Sequence, residues 1–370
     1  MTTPLRLLLV TDAVGGVWVY SLELARALKA IGIETVLAVM GPSPSGSQRE
    51  EARGFKLVDT GLPLDWLETN AAQLRRAGDA VADIAVREGV DIVQTCSAAL
   101  LAQTEFEQPC VAVQHSCVAS WWRAVKGTAL PDRFAWLREL VERGLNRAAT
   151  VVAPSIAFAA ETARIYDIST PVLFVHNGRS PGATGQVAQA DFVFTVSRLW
   201  DEGKNVATLD AAAARLGVPF QAAGPVYGPN GASIYLENIR ALGEIGHTRL
   251  KGLLAACPIF ASAALYEPFG LSALEAAQAG CALVLSDIPT HREIWGGAAI
   301  FVGARDDAAF ACAIKDLLDD ADERRELGQL ARARAQLYTP ERMARGMADI
   351  YARVAPSHVE TAPREMAGAA

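Results

Sequence analysis

Three stretches of this 370-residue chain carry residues whose types and spacing suit a phosphorylated, hydroxyl-rich ligand. In ALYEPFGLSALEAAQAG, residues 264–280, Glu267 and Glu275 stand eight positions apart. Glu267 falls in a loop with Pro268 and Gly270, and Glu275 in the helix that follows. The first turn of that helix, near Leu271 and Ser272, presents N–H groups that have no partner within the helix. Ala and Leu fill most of its other positions, so Glu275 is a carboxylate in an apolar setting. Such a group needs donors, and vicinal sugar hydroxyls would supply them. A wet helix face is the plainer reading, but the flanks FGLSAL and AAQAGCALVLSD both read as buried.

The second stretch is TVSRLWDEGKN, residues 195–205. Arg198 and Lys204 lie between a strand pattern and a helix pattern. Two cations in such a loop suit a pyrophosphate, Arg as a fork and Lys as a point charge; as surface side chains they would simply be solvated. The third is TDAVGGVWVYSLELARAL, residues 11–28, where Gly15 and Gly16 separate a strand from a helix. Paired glycines let N–H groups approach an anion at a helix N-terminus. They also permit a tight turn with positive φ, and the motif alone does not choose. The spacing fits neither G-x-G-x-x-G nor G-x-x-x-x-G-K-[ST]. His115 follows another strand pattern, and reads either as a structural histidine or as a donor near a sugar hydroxyl.

The elements that must position these residues alternate. Continuous apolar runs at 6–11, 35–40, 55–58, 92–95, 111–114, 150–153 and 172–175 predict strands, with helices at 17–31, 71–88, 133–147 and 156–166. The stretch 180–190, SPGATGQVAQA, has the small, polar composition of a linker. A second series follows, with strands at 192–196, 220–223, 259–261, 282–286 and 300–302 and helices at 206–216, 248–256, 272–279, 308–318, 321–337 and 340–352. Apolar strands interleaved with helices predict parallel sheets covered on both faces. The expectation is two doubly wound, Rossmann-like domains, 1–182 and 190–338, facing across a cleft. Helix 340–353 is expected to pack back on the first domain, and 356–370 to form a flexible tail. Ligands of such sheets bind beyond the carboxyl ends of the strands.

Composition excludes several classes. Hydrophobic residues make up 51% and charged residues 20%, which excludes a disordered chain. Net charge is −7, and each half holds more acidic than basic groups, so a bulk nucleic-acid binder is not expected. No run of about 18 apolar residues predicts a membrane span, and the short N-terminal run reads as the first strand rather than a signal peptide. The six cysteines form no C-x-x-C pair and read as free buried thiols of a cytoplasmic protein. No metal-ligand cluster is evident, so neither a metal nor another cofactor is expected. The helix at 71–88, with Arg75, Arg76 and Arg87, leaves a weak peripheral contact with the inner face of a membrane open, although Asp79, Asp83 and Glu88 dilute its charge.

From Glu267 to Asp287, the E-x7-E spacing resembles the signature of retaining glycosyltransferases of family 4. The likeness continues in order along nearly the whole chain: GGVWVYSLELARAL is similar to the family's N-terminal glycine loop, VQHS to its histidine-bearing strand end, VHNGRS to its interdomain P-N-G-V-D segment and SRLWDEGKN to its Arg…Lys loop, while SDIPTHREI and YTPERMARGMADIYARV also fit. The resemblance implies a GT-B fold and a nucleotide-sugar donor bound to the second domain. It implies that Arg198 and Lys204 hold the diphosphate and that Glu275 binds the ribose. Glu267 would contact the donor hexose with the N–H groups of Phe269, Gly270 and Leu271. His115 would lie by the sugar, and Gly15 and Gly16 by the phosphate or acceptor. The reaction implied is metal-independent transfer of a hexosyl unit, with retention, to a glycan, lipid-linked or small-molecule acceptor.

Departures are specific. Arg198 and Lys204 are six residues apart where the family often has five, so the loop must bulge. His176 replaces a proline, Arg179 and Ser180 replace V-D, and Trp18 follows the glycines where small or acidic residues are frequent. These bear on the acceptor more than on the reaction class. A phosphorylase, a nucleotide-sugar epimerase or a non-catalytic nucleotide-sugar binding module are the alternatives.

Overall fold

RLLLVTD opens the chain's first strand, with five successive buried residues flanked by two half-buried ones. A strand apolar on both sides must be covered on both faces, and the same pattern recurs through the computed structural model, which describes residues 4–67, 70–182 and 190–356. The strands are β1 (Arg6–Asp12), β2 (Glu34–Met40), β3 (Lys56–Asp59), β4 (Ile92–Thr95), β5 (Cys110–Val113), β6 (Thr150–Ala153), β7 (Val172–Phe174), β8 (Val193–Val196), β9 (Phe220–Ala223), β10 (Ile239–Ala241), β11 (Ile259–Ser262), β12 (Ala282–Ser286) and β13 (Ile300–Val302). The α-helices are α1 (Gly16–Ala30), α2 (Gly46–Glu51), α3 (Ala71–Glu88), α4 (Val118–Lys126), α5 (Ala135–Arg147), α6 (Ile156–Ile165), α7 (Val206–Ala213), α8 (His247–Ala256), α9 (Leu271–Ala279), α10 (Pro289–Trp295), α11 (Asp307–Asp319), α12 (Ala321–Ala335) and α13 (Pro340–Val354).

Two sheets result, in the orders β3-β2-β1-β4-β5-β6-β7 and β10-β9-β8-β11-β12-β13. Neighbouring strands run parallel, with registers such as Leu8↔Val36 and Ile259↔Val193. The fold class read from the sequence, two Rossmann-like doubly wound sheets, is the one observed. Each sheet reverses its winding direction once, between β1 and β4 and between β8 and β11. Such switch points are where loops diverge and ligands enter.

Contacts group the chain into two units. One takes the residues up to Val113, Leu140–Val152 and those from Ala344 onward; the other takes Gln114–Glu139 and Ala153–Met343. In the first, Tyr351 of α13 donates its hydroxyl to Gln94 Oε1, and Gln94 Nε2 donates to Tyr20 at 3.1 Å. In the second, strand alternation divides the core. Phe194, Phe260, Leu283 and Leu285 face one side with Trp295; Val193, Ile259, Ala261 and Val284 face the other with Phe310 and Ile314. Fully burying one such large side chain contributes about 1.5–3 kcal/mol.

Four elements escape the sequence reading. β10 has three residues, and its backbone is held by Asp210, whose carboxylate accepts from the N–H groups of Glu237, Asn238 and Ile239. α2 is a single capping-box turn with no buried residue, and α10 is a short helix with proline in its first turn. α4 lacks a conventional cap: Cys117 Sγ accepts from Ser120 N at 3.3 Å. One expectation is corrected. All six cysteines are free, but only Cys110, Cys257 and Cys281 are buried; Cys96 and Cys117 are half-buried, and Cys312 is exposed because its position on α11 falls off the helix's buried stripe of Phe310, Ala311, Ile314 and Leu317. The expected linker lies mostly, and the expected tail almost wholly, outside the described residues.

Candidate active site

The second unit brings two loops together because β8 and β11 are hydrogen-bonded neighbours. After β8 the chain runs through Arg198 and Asp201 into a 3₁₀ turn, Glu202–Lys204, and enters α7 at Asn205. Asn205 has φ 50°, the sole positive φ among the described non-glycine residues. Its side-chain amide donates to the carbonyls of Ala263 and Ala304, tying this left-handed corner to the neighbouring strand ends. The carbonyl of Gly203 accepts from the N–H groups of Leu265 and Tyr266. The loop after β11 is thereby stitched to the loop after β8, with Glu267 next in line.

Lys204 Nζ donates to Glu267 Oε2 at 2.6 Å, and the two side chains are 17% and 15% exposed. Arg198 Nη2 donates to Asp201 Oδ2 at 2.8 Å, while its guanidinium stands 5.6 Å from the centre of the Trp200 ring. Asp201 Oδ1 accepts from Trp121 Nε1 and from Gly203 N, each at 2.9 Å. Burial works against ionising Asp201, but Arg198, Lys204 and these hydrogen bonds hold its carboxyl below the usual range. Both predicted phosphate-binding cations therefore stand at the carboxyl end of the sheet, with a 3₁₀ turn at Glu202–Lys204 in the loop between them.

Gly270 begins α9 with φ 95°, and no side chain caps the helix. Phe269 is buried in the core, its ring 5.6 Å from Tyr338, so its N–H is the group left to meet a ligand. Gly270 and Leu271 continue that N-terminus. Glu275, one turn on, shares α9 with buried Ala273, Leu274, Ala276 and Ala277. Its partner is a buried arginine: Arg179 Nε donates to Glu275 Oε1 at 2.6 Å, and Arg179 Nη2 lies 3.0 Å from His247 Nε2. Gln278 Nε2 donates to the Arg179 carbonyl at 2.7 Å. These residues, with Ser180 and Lys251, line an open recess of about 420 Å³ beside Glu275.

His115 lies between β5 and α4. Burial pushes its imidazole down to about 4, so the ring is neutral at neutral pH. Tyr266, adjacent to Glu267, accepts from Cys117 N at 3.2 Å and lies 2.7 Å from Ser120 Oγ, which ties the start of α4 to the Glu267 loop. Burial pushes the Tyr266 phenol well up, so it stays protonated. Gly15 and Gly16 belong to the other unit. Gly15 has φ 85°, both glycines are exposed, and α1 begins at Gly16 without a side-chain cap. Asp201, Trp121, Tyr266, Arg179 and His247 also stand in this cluster although the sequence did not name them as site residues; Trp121, with Trp122, reads in the sequence only as an acceptor-pocket lining or as packing beneath a loop. Asp201 and Tyr266 lie inside recognised motifs, and Arg179 was visible as a departure; His247 carries no signal.

Residues 14–181 match the family described as "Glycosyltransferase Family 4", and residues 234–334 match "Glycosyl transferases group 1". The chain is a GT-B-fold relative of glycosyltransferase family 4. Glycogen synthase from Mycobacterium tuberculosis is 39% identical over 101 residues, 27% of this chain. That match spans only 24% of the synthase's length. Among solved structures, sucrose-phosphate synthase from Thermosynechococcus elongatus superposes with a TM-score of 0.77 at 19% identity, covering 95% of this chain and 100% of that one. HepE from Anabaena, in complex with UDP-glucose, gives 0.73 at 18% identity, over 94% and 99%. These two likenesses establish the GT-B fold, and the two family matches fall one on each sheet.

Proposed function

We propose that this family 4 relative is a retaining glycosyltransferase that moves a hexosyl unit from a nucleoside-diphosphate sugar to a carbohydrate, lipid-linked or small-molecule acceptor. The observation that carries this reading is the cluster at the β8 and β11 ends. Arg198 and Lys204 stand there with Glu267, next to the uncapped N-terminus of α9. The cations serve the diphosphate, Glu267 and the N–H groups of Phe269, Gly270 and Leu271 serve the hexose, and Glu275 serves the ribose. The HepE complex with UDP-glucose supports a uridine donor.

In the transfer, the bond from the sugar's anomeric carbon to the diphosphate breaks, and the acceptor oxygen bonds to the same face. The acceptor's proton passes to the departing phosphate oxygen. Charge grows on the diphosphate as the bond lengthens, and cations held in place beforehand stabilise that charge without reorganising. His115, being neutral, contributes a hydrogen bond rather than a charge. The reading is metal-independent, with Arg198 and Lys204 in the electrostatic role; among the described residues no group of three or more His, Cys, Asp or Glu side chains is placed to hold a metal. Gly15 and Gly16 would meet the phosphate or the acceptor.

No helix among the described residues is long and apolar enough to cross a membrane. A cytoplasmic enzyme fits this reading. Peripheral contact with a membrane would fall to the arginines of α3, of which Arg75 and Arg87 already have Asp79 and Glu88 nearby.

The test is incubation with UDP-, ADP- and GDP-sugars and a panel of acceptors, with and without EDTA. Retained anomeric configuration and chelator-resistant turnover are expected. An inverted product, or activity abolished by EDTA and restored by Mg²⁺, overturns the mechanism; no turnover of any donor overturns the activity.

A further inference from the structure

The loop that carries Arg198 and Lys204 is braced from α4, a helix remote from it in sequence. The Trp121 indole N–H donates to Asp201 Oδ1 at 2.9 Å. The Lys126 ammonium pairs with the Glu202 carboxylate, and Arg305 Nη2 donates to the carbonyl of Val125 at 3.0 Å. The 3₁₀ turn Glu202–Lys204 is therefore the turn against which α4 rests.

Gly203 makes that approach feasible. A Cβ at this position would come within 2.8 Å of Trp121 Nε1 and 3.1 Å of Asp201 Oδ1. Gly203 is not among the glycines with positive φ, so space, not backbone conformation, is what it provides. Asp201 is 6% exposed and has a donor for each oxygen. Trp121 and the Gly203 N–H fix Oδ1, which turns Oδ2 toward Arg198 Nη2. A carboxylate held by two donors at one oxygen cannot swivel without losing a charge-assisted bond.

We propose that Trp121 is a positioning residue for the diphosphate-binding loop: by fixing Asp201 it sets the orientation of the Arg198 guanidinium. The proposal rests on the reading of Arg198 as a diphosphate ligand. Trp121 has no role in contacting the sugar, and its effect passes through Asp201. An indole is well suited to this because it is a donor only and cannot exchange roles with the carboxylate. Phenylalanine keeps an aromatic ring there and lacks the donor.

Calorimetric titration with UDP and UMP, and with ADP and AMP as a second pair, separates positioning from general destabilisation. Trp121→Phe should raise the Kd of the diphosphate about tenfold while changing that of the monophosphate less than about twofold, the scale of losing one hydrogen bond to a charged group. Gly203→Ala, which pushes the indole away, should shift the same ratio in the same direction, and it decides the matter if Trp121→Phe does not fold. In an Arg198→Ala background, Trp121→Phe should add nothing. A wild-type ratio in the folded variants, an equal loss for both ligands, or a further loss on top of Arg198→Ala would overturn the proposal. If Arg198→Ala itself leaves the ratio unchanged, or the wild-type chain binds neither pair, the reading of Arg198 fails first and this inference with it.

Discussion

Arg179 Nε and Glu275 Oε1 meet at 2.6 Å, with side chains only 9% and 17% exposed. Arg179 stands where the family resemblance expects a valine, and the Gln278 side chain fastens its carbonyl to the same helix. Read from sequence, removal of Glu275 would change stability little, since the cost of burying the carboxylate goes with it. With Arg179 beside it a loss of stability is expected instead, because the buried guanidinium would lose the carboxylate that accepts from its Nε.

Glu275→Ala should therefore destabilise the fold by about 3 kcal/mol, at the lower end for a broken buried pair. Glu275→Gln retains an acceptor and should cost less, while both variants weaken donor binding. Urea unfolding of the two variants beside the wild type measures this, and an unchanged midpoint in Glu275→Ala would show that the pair contributes nothing to the fold.

Lys204 and Glu267 form the second near-enclosed pair. Replacing either alone strands the other, so Lys204→Met and Glu267→Gln should each lower stability. The double variant should lower it by less than the sum, with a coupling of about 1–2 kcal/mol, inside the range for residues in one ion pair. Additive losses in a double-mutant cycle would mean that the two charges do not sense each other.

The parallel sheets and most element boundaries were legible because buried parallel strands leave an unmistakable record: VVA at 151–153 and ALVLS at 282–286 have few other uses. The candidate site residues named from the sequence were those inside recognisable motifs, at strand ends and in the helix α9 that follows one of them. Partnerships were not legible, because an ion pair joins positions with no sequence relation. Nothing near Glu275 points to Arg179, 96 residues away, and nothing in WDEGK points to Trp121, 80 residues before Asp201. α4 was missed because a cysteine caps it, and β10 because it is three residues long with Ile239 as its one buried side chain.

Burial of His115 makes stability depend on pH. The folded ring titrates at about 4 and the unfolded one near 6.5, so between those values the unfolded chain binds the extra proton. Stability should be full above about 6.5 and fall as pH drops toward 4. His291, also pushed down by burial, adds to the slope, and the carboxylates of Asp201 and Glu293 add more at lower pH. The informative quantity is the difference between wild type and His115→Gln. The variant should be flatter, by up to about 1.4 kcal/mol per pH unit for one proton. Parallel profiles of urea midpoints between pH 7 and pH 5 would show that His115 is accessible to protons when folded.

Arg198 offers the sharpest test of the electrostatic reading. Its guanidinium is held by Asp201 and flanked by Trp200, an arrangement that costs no reorganisation when charge develops on a leaving diphosphate. A group that binds ground state and transition state equally would alter only KM, whereas one aimed at the developing charge alters kcat. Arg198→Ala should thus lower kcat by about 10²–10³, the usual cost of one such donor. Arg198→Lys keeps the charge but loses the fork, and should fall between the two. Stability should change little, since the side chain is 36% exposed, although Asp201 loses one of its donors. Steady-state kinetics with the preferred donor gives both constants. A near-wild-type kcat in Arg198→Ala would make this residue a solvated surface charge and leave Lys204 as the cation that meets the phosphate.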